Sequence, residues 1–359
     1  MKNTIHIALA IVLISTVFLQ TVFAQGAGLE WDLLNQEVLK LYQEGNYDKA
    51  ILVAEHALKI AKENVGPDHP DAAKSLNNLA FLYYTQGHYA KAEPLYKRSL
   101  SIKEKTLGPD HPGVAKSLNN LAELYRVQGR YAKAEALYKR SLAIIEKALG
   151  PDHPDVAKSL NNLAELYRVQ GRYAKAEALY KRSLAIIEKA LGPDHPDVAK
   201  SLNNLAELYR VQGRYAKAEA LYKRSLAIKE KALGPDHPGV AKSLNNLALL
   251  YYAQGHYAKA EPLYKRSLAI MEKALGPDHP DVAKSLNNLA FLYYTQGHYA
   301  KAESLYKHSL AIKEKALGPD HPGVAKSLEN LAALYRATDR TREAQQLENR
   351  AAKIRNIKR

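Results

Sequence analysis

Cysteine is absent from the 359 residues. That excludes a disulfide framework, a Cys-ligated zinc or iron–sulfur site and a thiol nucleophile. Tryptophan occurs once and phenylalanine four times, against 24 tyrosines. Aromatic usage so lopsided indicates one motif copied many times. Acidic side chains are in deficit: 37 Asp and Glu face 52 Lys and Arg, for a formal net charge of +15. With 47% hydrophobic and 25% charged residues the composition is that of a folded protein, not a disordered one.

Long apolar runs are also scarce, with one exception at the N-terminus. Ile7 to Leu19 is apolar apart from Ser15 and Thr16, follows Lys2, and leads to Val22-Phe23-Ala24. A basic start, a short apolar core and small residues at the cleavage positions describe a secretory signal cut after Ala24. The alternative is an uncleaved anchor, since Ile5 to Ala24 can just span a bilayer. Cleavage removes Lys2 and leaves +15 − 1 = +14 on the mature chain. The expected location is periplasmic or secreted.

What the chain has in abundance is a repeat. Gly-Pro-Asp-His-Pro recurs at Gly66, Gly108, Gly150, Gly192, Gly234, Gly276 and Gly318, always 42 residues apart. Residues 114–150, 156–192 and 198–234 are nearly identical, differing where Ile145 and Ile187 become Lys229. Each copy reads as two helices. Val114, Leu118, Leu121, Ala122 and Tyr125 share one face of the first. Gln128-Gly129 breaks it. Tyr131, Ala134, Leu137, Tyr138, Ser141, Leu142, Ile145 and Leu149 mark the second, which Gly150-Pro151 ends. Asp152 is expected to cap the following helix, with Pro154 in its first turn and Asp155 as capping-box partner. The boundaries expected are a 1–24 signal, a 25–28 linker and helix pairs at 29–66, 71–108, 113–150, 155–192, 197–234, 239–276, 281–318 and 323–359. The last second helix is polar, as an end cap of a repeat array should be.

Leu121-Ala122, Tyr125, Gly129, Tyr131, Ala134 and Tyr138 together resemble the tetratricopeptide repeat (TPR). That family's usual period is about 34 residues. The 42-residue spacing and the Leu-Gly-Pro-Asp-His-Pro link look like the kinesin light chain subclass. The resemblance covers 29–359 and implies an all-α, right-handed α-solenoid of about eight helix pairs. A cytosolic motor-adaptor role is at odds with a signal peptide.

Three features can carry function. Asp-His precedes Pro in every link (His69, His111, His153, His195, His237, His279, His321), which evokes a catalytic pair. No nucleophile accompanies it at a fixed offset, so the expectation is a structural turn, with no enzyme activity, metal or cofactor.

The second feature is a polar stripe on the first helix of each repeat. Lys116, Asn119, Asn120, Glu123 and Arg126 fall at helical offsets. In proteins similar to this one the first helices line a concave surface whose Asn residues grip an extended peptide and whose basic residues neutralise its acidic groups. The positions so implied are Asn77, Asn78, Asn119, Asn120, Asn161, Asn162, Asn203, Asn204, Asn245, Asn246, Asn287 and Asn288, with Lys116, Lys158, Lys200, Lys242, Arg126, Arg168 and Arg210. An Asn amide offers a donor and an acceptor, as a peptide bond does. It can equally bond a neighbouring repeat. Glu329 replaces the first Asn of the last pair, leaving Asn330, and the first repeat shows no Asn pair. Along the chain this stripe has a charged centre (Glu123/Arg126, Glu165/Arg168, Glu207/Arg210) between flanks carrying Phe81/Tyr84, Leu249/Tyr252 and Phe291/Tyr294. Glu and Arg three apart can also simply pair.

The third feature is the basic excess itself, seen in Lys97-Arg98, Lys139-Arg140, Lys181-Arg182, Lys223-Arg224 and Lys265-Arg266 on the second helices. Such a surface can attract polyanions or lipid headgroups. It lacks the features of a nucleic-acid reader. The expected function is a non-enzymatic scaffold that holds an extended acidic or polar segment of a protein partner. The alternative is an envelope-associated protein that touches membrane or polyanion through its basic surface.

Overall fold

The computed structural model describes residues 28–357. Among the described residues there are sixteen helices and no strand. They fall into two compact bodies. One holds α1 (28–43), α2 (Tyr47–Val65), α3 (Pro70–Thr85) and α4 (Tyr89–Leu107). The other holds α5 (Pro112–Val127), α6 (Tyr131–Leu149), α7 (Pro154–Val169), α8 (Tyr173–Leu191), α9 (Pro196–Val211), α10 (Tyr215–Leu233), α11 (Pro238–Ala253), α12 (Tyr257–Leu275), α13 (Pro280–Thr295), α14 (Tyr299–Leu317), α15 (Pro322–Ala337) and α16 (Thr341–Ile357). Odd-numbered helices are the first of each repeat, even-numbered the second. The signal expected over 1–24 lies outside the described residues.

Each turn is dictated locally. After α5, Gly129 adopts φ 73°, a conformation costly for a residue with a Cβ. Its N–H meets the carbonyl of Arg126 at 3.0 Å, and the N–H of Arg130 meets that of Tyr125 at 2.8 Å. This crossed pair satisfies two carbonyls at the helix end. The last repeat makes the same turn with Asp339 at φ 62°.

The start of the first helices corrects the sequence expectation. The N-cap is His153, not Asp152: its Nδ1 accepts from the Asp155 N–H at 3.1 Å, and Pro154 fills the first helical position. His69, His111, His195, His237, His279 and His321 accept in the same way at 2.8–3.2 Å. Asp152 lies one residue too early. Its carboxylate instead takes Lys189 Nζ at 2.6 Å, and Asp110, Asp194, Asp236 and Asp278 take the matching lysines. Asp155 binds Lys158 at 2.8 Å, so the capping box is replaced by an i,i+3 ion pair.

Within a repeat, small residues let the two helices approach. Ala115 and Ala134 have no exposed surface. Ser141, equally buried, donates to the Ala115 carbonyl at 3.0 Å, and Ser99, Ser183, Ser225, Ser267 and Ser309 repeat the bond at 2.7–2.9 Å. Leu118, Leu121, Leu124 and Tyr138 fill the core around them. Ile144 joins this core although the pattern did not place it there, and Leu149 stays 40% exposed at the helix end. In the second body each helix packs on the next in sequence; α5 also touches α7, α7 touches α9, α9 touches α11 and α13 touches α15. In the first body, the single tryptophan, Trp31, is buried, donates Nε1–H to Ser75 Oγ at 2.7 Å, and carries the Lys74 ammonium 4.5 Å from its ring centroid. No described helix is long and apolar enough to cross a membrane.

Candidate functional site

The stripe on the first helices separates into inward and outward positions. Asn161 Nδ2 donates to Ser201 Oγ at 3.4 Å and Asn203 Nδ2 to Ser243 Oγ at 3.3 Å. Asn288 Nδ2 reaches Asn245 Oδ1 at 3.2 Å, and Asn330 Nδ2 reaches Asn287 Oδ1 at 2.8 Å. These bonds tie each first helix to the next. They leave the Oδ1 atoms of Asn119, Asn161 and Asn203 buried without a partner. Such an orphan acceptor costs roughly 1–3 kcal/mol.

Asn162, Asn204 and Asn246 differ. Asn162 is exposed, the other two are half-buried, and none has a hydrogen-bond partner among the described residues. Asn120 is half-buried. In the first body, Asn77 is half-buried, and Asn78 Nδ2 donates to Asn35 Oδ1 at 2.9 Å. Asn35 thus matches the first Asn of the later pairs, at the same 42-residue offset. The sequence argument had given the first repeat no such residue, because Gln36 follows it and the flanking motif is lost.

The Arg positions are committed. Arg126 grips Glu123 through Nε and Nη2 at 2.7 and 2.6 Å, and Tyr138 donates its hydroxyl to the same carboxylate at 2.9 Å. Arg168–Glu165–Tyr180 and Arg210–Glu207–Tyr222 repeat this network. A two-pronged fork on a carboxylate is among the stronger hydrogen-bonded pairs. The Glu165 and Glu207 bonds raise Arg168 and Arg210 further above their already high range, and burial followed by the adjacent carboxylates pushes the Tyr180 and Tyr222 hydroxyls up. Burial alone would raise Glu207, but Arg210 and Tyr222 hold it low. Each of these three arginines is thus committed to the carboxylate three residues before it on the same helix.

The lysines are more open. Lys158 and Lys200 pair with Asp155 and Asp197 at 2.8 and 2.7 Å yet stay well exposed. Lys242 lies 3.5 Å from Asp281. Lys116 has no acidic partner among the described residues and is exposed.

Aromatic residues cluster where the sequence put the flanks. Phe81 lies 5.2 Å from Tyr42 and 6.3 Å from Tyr84. An open cleft of about 470 Å³ beside them is lined by Val38, Leu39, Lys74 and Asn78 among others. In the second body, Phe291 lies 5.2 Å from Tyr252 and 6.4 Å from Tyr294.

The second helices carry a different network. Glu135 accepts from Lys139 at 2.7 Å, Arg172 at 2.6 Å and Tyr167 at 3.0 Å. Burial works against its ionised form, but these three donors prevail and hold its carboxyl at about 2. The Arg172 guanidinium also lies 4.1 Å over the Tyr167 ring. Glu177 repeats the arrangement with Lys181, Arg214 and Tyr209. Arg182 binds Glu146 and Arg224 binds Glu188, both at 2.7 Å. The basic pairs on these helices are therefore largely matched by acids, many from the neighbouring repeat. No group of His, Asp and Glu among the described residues is arranged to hold a metal ion.

Comparison with known proteins agrees with this architecture. The tetratricopeptide repeat family matches at residues 40–105, 89–126, 113–186, 155–231, 197–273, 257–315 and 299–357. A solved structure of a kinesin light chain candidate from Podosopora anserina, with nearly identical TPR-like repeats, is 32% identical over 57% of this chain and 97% of its own, at a TM-score of 0.48. BtubC (BKLC) from P. vanneervenii is 25% identical over 66% of this chain and 91% of its own, at 0.50. A Rap protein in complex with Competence and Sporulation Factor shares the fold at 14% identity, over 93% and 99%, with a TM-score of 0.58. Curated protein sequences give no match. A repeated helix pair with this packing, matched by a family model over most of its length, places the chain in the tetratricopeptide repeat family, in its kinesin light chain-like type.

Proposed function

We propose that the protein is a non-enzymatic interaction scaffold whose first-helix face holds an extended, acidic or polar segment of a protein partner. One observation carries this reading. In successive repeats one Asn is spent on the neighbouring helix while its partner, Asn162, Asn204 or Asn246, keeps both its donor and its acceptor uncommitted. A ladder of free amides at 42-residue intervals matches the needs of a peptide backbone, which offers a donor and an acceptor per residue. Buried Oδ1 atoms on Asn119, Asn161 and Asn203 would gain a partner if their amides turned toward such a ligand.

Magnitudes define what else is needed. One or two bonds at each of three repeats, at about 1 kcal/mol each, give roughly 3–6 kcal/mol. A micromolar complex requires about 8 kcal/mol. Lys116, Lys158 and Lys200, with the Tyr252, Phe291 and Tyr294 cluster of the same body, would supply the remainder.

The test is to select binding peptides from a displayed random library and measure their affinity for variants. Asn162→Ala, Asn204→Ala and Asn246→Ala together should weaken binding by tens of fold with helicity unchanged. Lys139→Ala with Lys181→Ala should change it little. The reverse pattern would assign function to the second-helix surface instead. Export belongs to the same proposal: protein recovered from its native host should begin at or near Gln25, whereas recovery of Met1-Lys2 in a membrane fraction would make the segment an anchor.

A further inference from the structure

In the 42-residue register, one position on the second helices reads Lys103, Ile145, Ile187, Lys229, Met271, Lys313. Ten residues later the chain reads Gly113, Asp155, Asp197, Gly239, Asp281, Gly323. Every lysine is followed by glycine, and every apolar residue by aspartate. The backbone does not demand the glycine. Gly239 and Gly323 avoid the left-handed region. A Cβ there would come within 3.0 and 2.9 Å of the His237 and His321 Nδ1 atoms, yet Asp155, Asp197 and Asp281 fill the same place beside an intact His cap.

The two kinds of junction differ in charge. At the apolar kind, Ile187 is buried and Asp197 holds Lys200. At the other, Lys229 is 9% exposed and its Nζ donates to Ser243 Oγ at 2.9 Å; Lys313 Nζ donates to Ser327 Oγ at 2.7 Å. Neither ammonium has a carboxylate partner among the described residues. Residue 239 is one turn before Ser243, so the glycine removes the acid best placed to neutralise Lys229. Each such junction gains a cation and loses an anion. Burying an ammonium without a counter-ion is costly, while isoleucine at the same position is not. A purely structural role would therefore favour the Ile–Asp pairing that the chain already uses. Burial, and then Lys200 and Lys242, bring Lys229 down to about 8; burial, with Lys326 and Lys284, does the same to Lys313. Ser243 Oγ also accepts from Asn203 Nδ2, so the ammonium sits beside the Asn stripe.

We propose that the Lys229 and Lys313 junctions are two anion sockets on the first-helix face, each seating a carboxylate side chain of the bound segment. This rests on the peptide-binding reading and sharpens it: the ligand carries two acidic positions spaced to reach junctions two repeats apart.

The test converts one kind of junction into the other. Lys229→Ile with Gly239→Asp, and Lys313→Ile with Gly323→Asp, rebuild the Ile187–Asp197 junction, so the fold should survive, as circular dichroism will check. Binding is measured by anisotropy with two labelled peptides of about twelve residues, alternating Glu-Ala and alternating Gln-Ala, at about 150 mM salt. The fourfold variant should lose roughly a hundredfold or more in affinity for the Glu peptide, as expected for two charge-assisted contacts, and keep its affinity for the Gln peptide. Ile187→Lys with Asp197→Gly should tighten the Glu peptide. Undiminished Glu-peptide binding by the fourfold variant, or no Glu-peptide binding by the native chain, overturns the sockets. Competition by inorganic phosphate far stronger than by acetate overturns the carboxylate assignment. The Asn162, Asn204, Asn246 variant separates the two ideas: if it loses both peptides while the junction variant loses neither, the peptide face stands and the sockets fall. If only the junction variant loses the Glu peptide, the sockets stand and the Asn ladder falls.

Discussion

A histidine nitrogen that accepts from a backbone N–H does at the start of seven first helices, α3 to α15, what Ser or Asp does at most helix starts. Removing it should behave as the loss of a cap: His195→Ala is expected to lower stability by about 1 kcal/mol in urea unfolding, with His195→Asn recovering most of it. Asp194→Asn, which removes only an exposed ion pair with Lys231, should leave the midpoint unmoved. Carboxylates supply a second test. Glu135, Glu177 and Glu303 are held at about 2 by their Lys, Arg and Tyr donors, against about 4.3 in an unfolded chain. A folded value below the unfolded one means these groups stabilise the protein above pH ~4.3, and that the contribution is lost as pH falls toward 2. Urea midpoints should decline across that window, and Glu135→Gln with Glu177→Gln should flatten the decline while lowering the neutral-pH value. The Asn stripe was visible in the sequence because its period matches the helix. Which amide turns inward was not, because that depends on a serine some 40 residues away. The sockets at Lys229 and Lys313 were hidden for a related reason: a lysine in an otherwise apolar position looks like a slip in a pattern until its partner ten residues on is seen to change with it.

At the scale of the helix, the apolar spacing located both elements of every repeat, and glycine marked their ends. What it could not assign was the depth of each residue. Leu149 belongs to the apolar stripe yet stays 40% exposed at the end of α6, whereas Ile144 joins the expected Ile145 in the core. Asp152 looked like the cap because Asp is a good one; the proline at 154 fixes the helix start and leaves His153 in the capping position. The helix pair itself is fastened by a serine hydroxyl with no exposed surface, bonded to a carbonyl on the partner helix. Ser183→Ala should cost about 1 kcal/mol, the net worth of such a bond. Ser183→Val should cost more, because Ala157 and Ala176 around it are already fully buried. Denaturation monitored by far-ultraviolet circular dichroism distinguishes the two.

For the whole molecule, stability should behave as a sum of repeats and of the interfaces between successive ones. Deleting residues 155–196 joins two nearly identical junctions and is expected to give a helical, folded and somewhat less stable protein; aggregation or loss of helix would contradict it. The charge balance follows the same logic. Arg182 takes Glu146 of the preceding copy and Lys189 takes Asp152 of the preceding link, so many basic side chains are paired within the array, while the net excess of +15 remains over the whole sequence.

The placement of Trp31 gives the protein a built-in optical label. With one indole in the chain, fluorescence excited at the red edge, where the 24 tyrosines hardly absorb, reports on the α1–α3 packing, where that ring is buried under the Lys74 ammonium. Helical ellipticity instead averages over all the helices, sixteen among the described residues. If the array melts from its ends, the two signals will not superimpose during heating, and the gap between their midpoints will measure how far cooperativity extends along the chain.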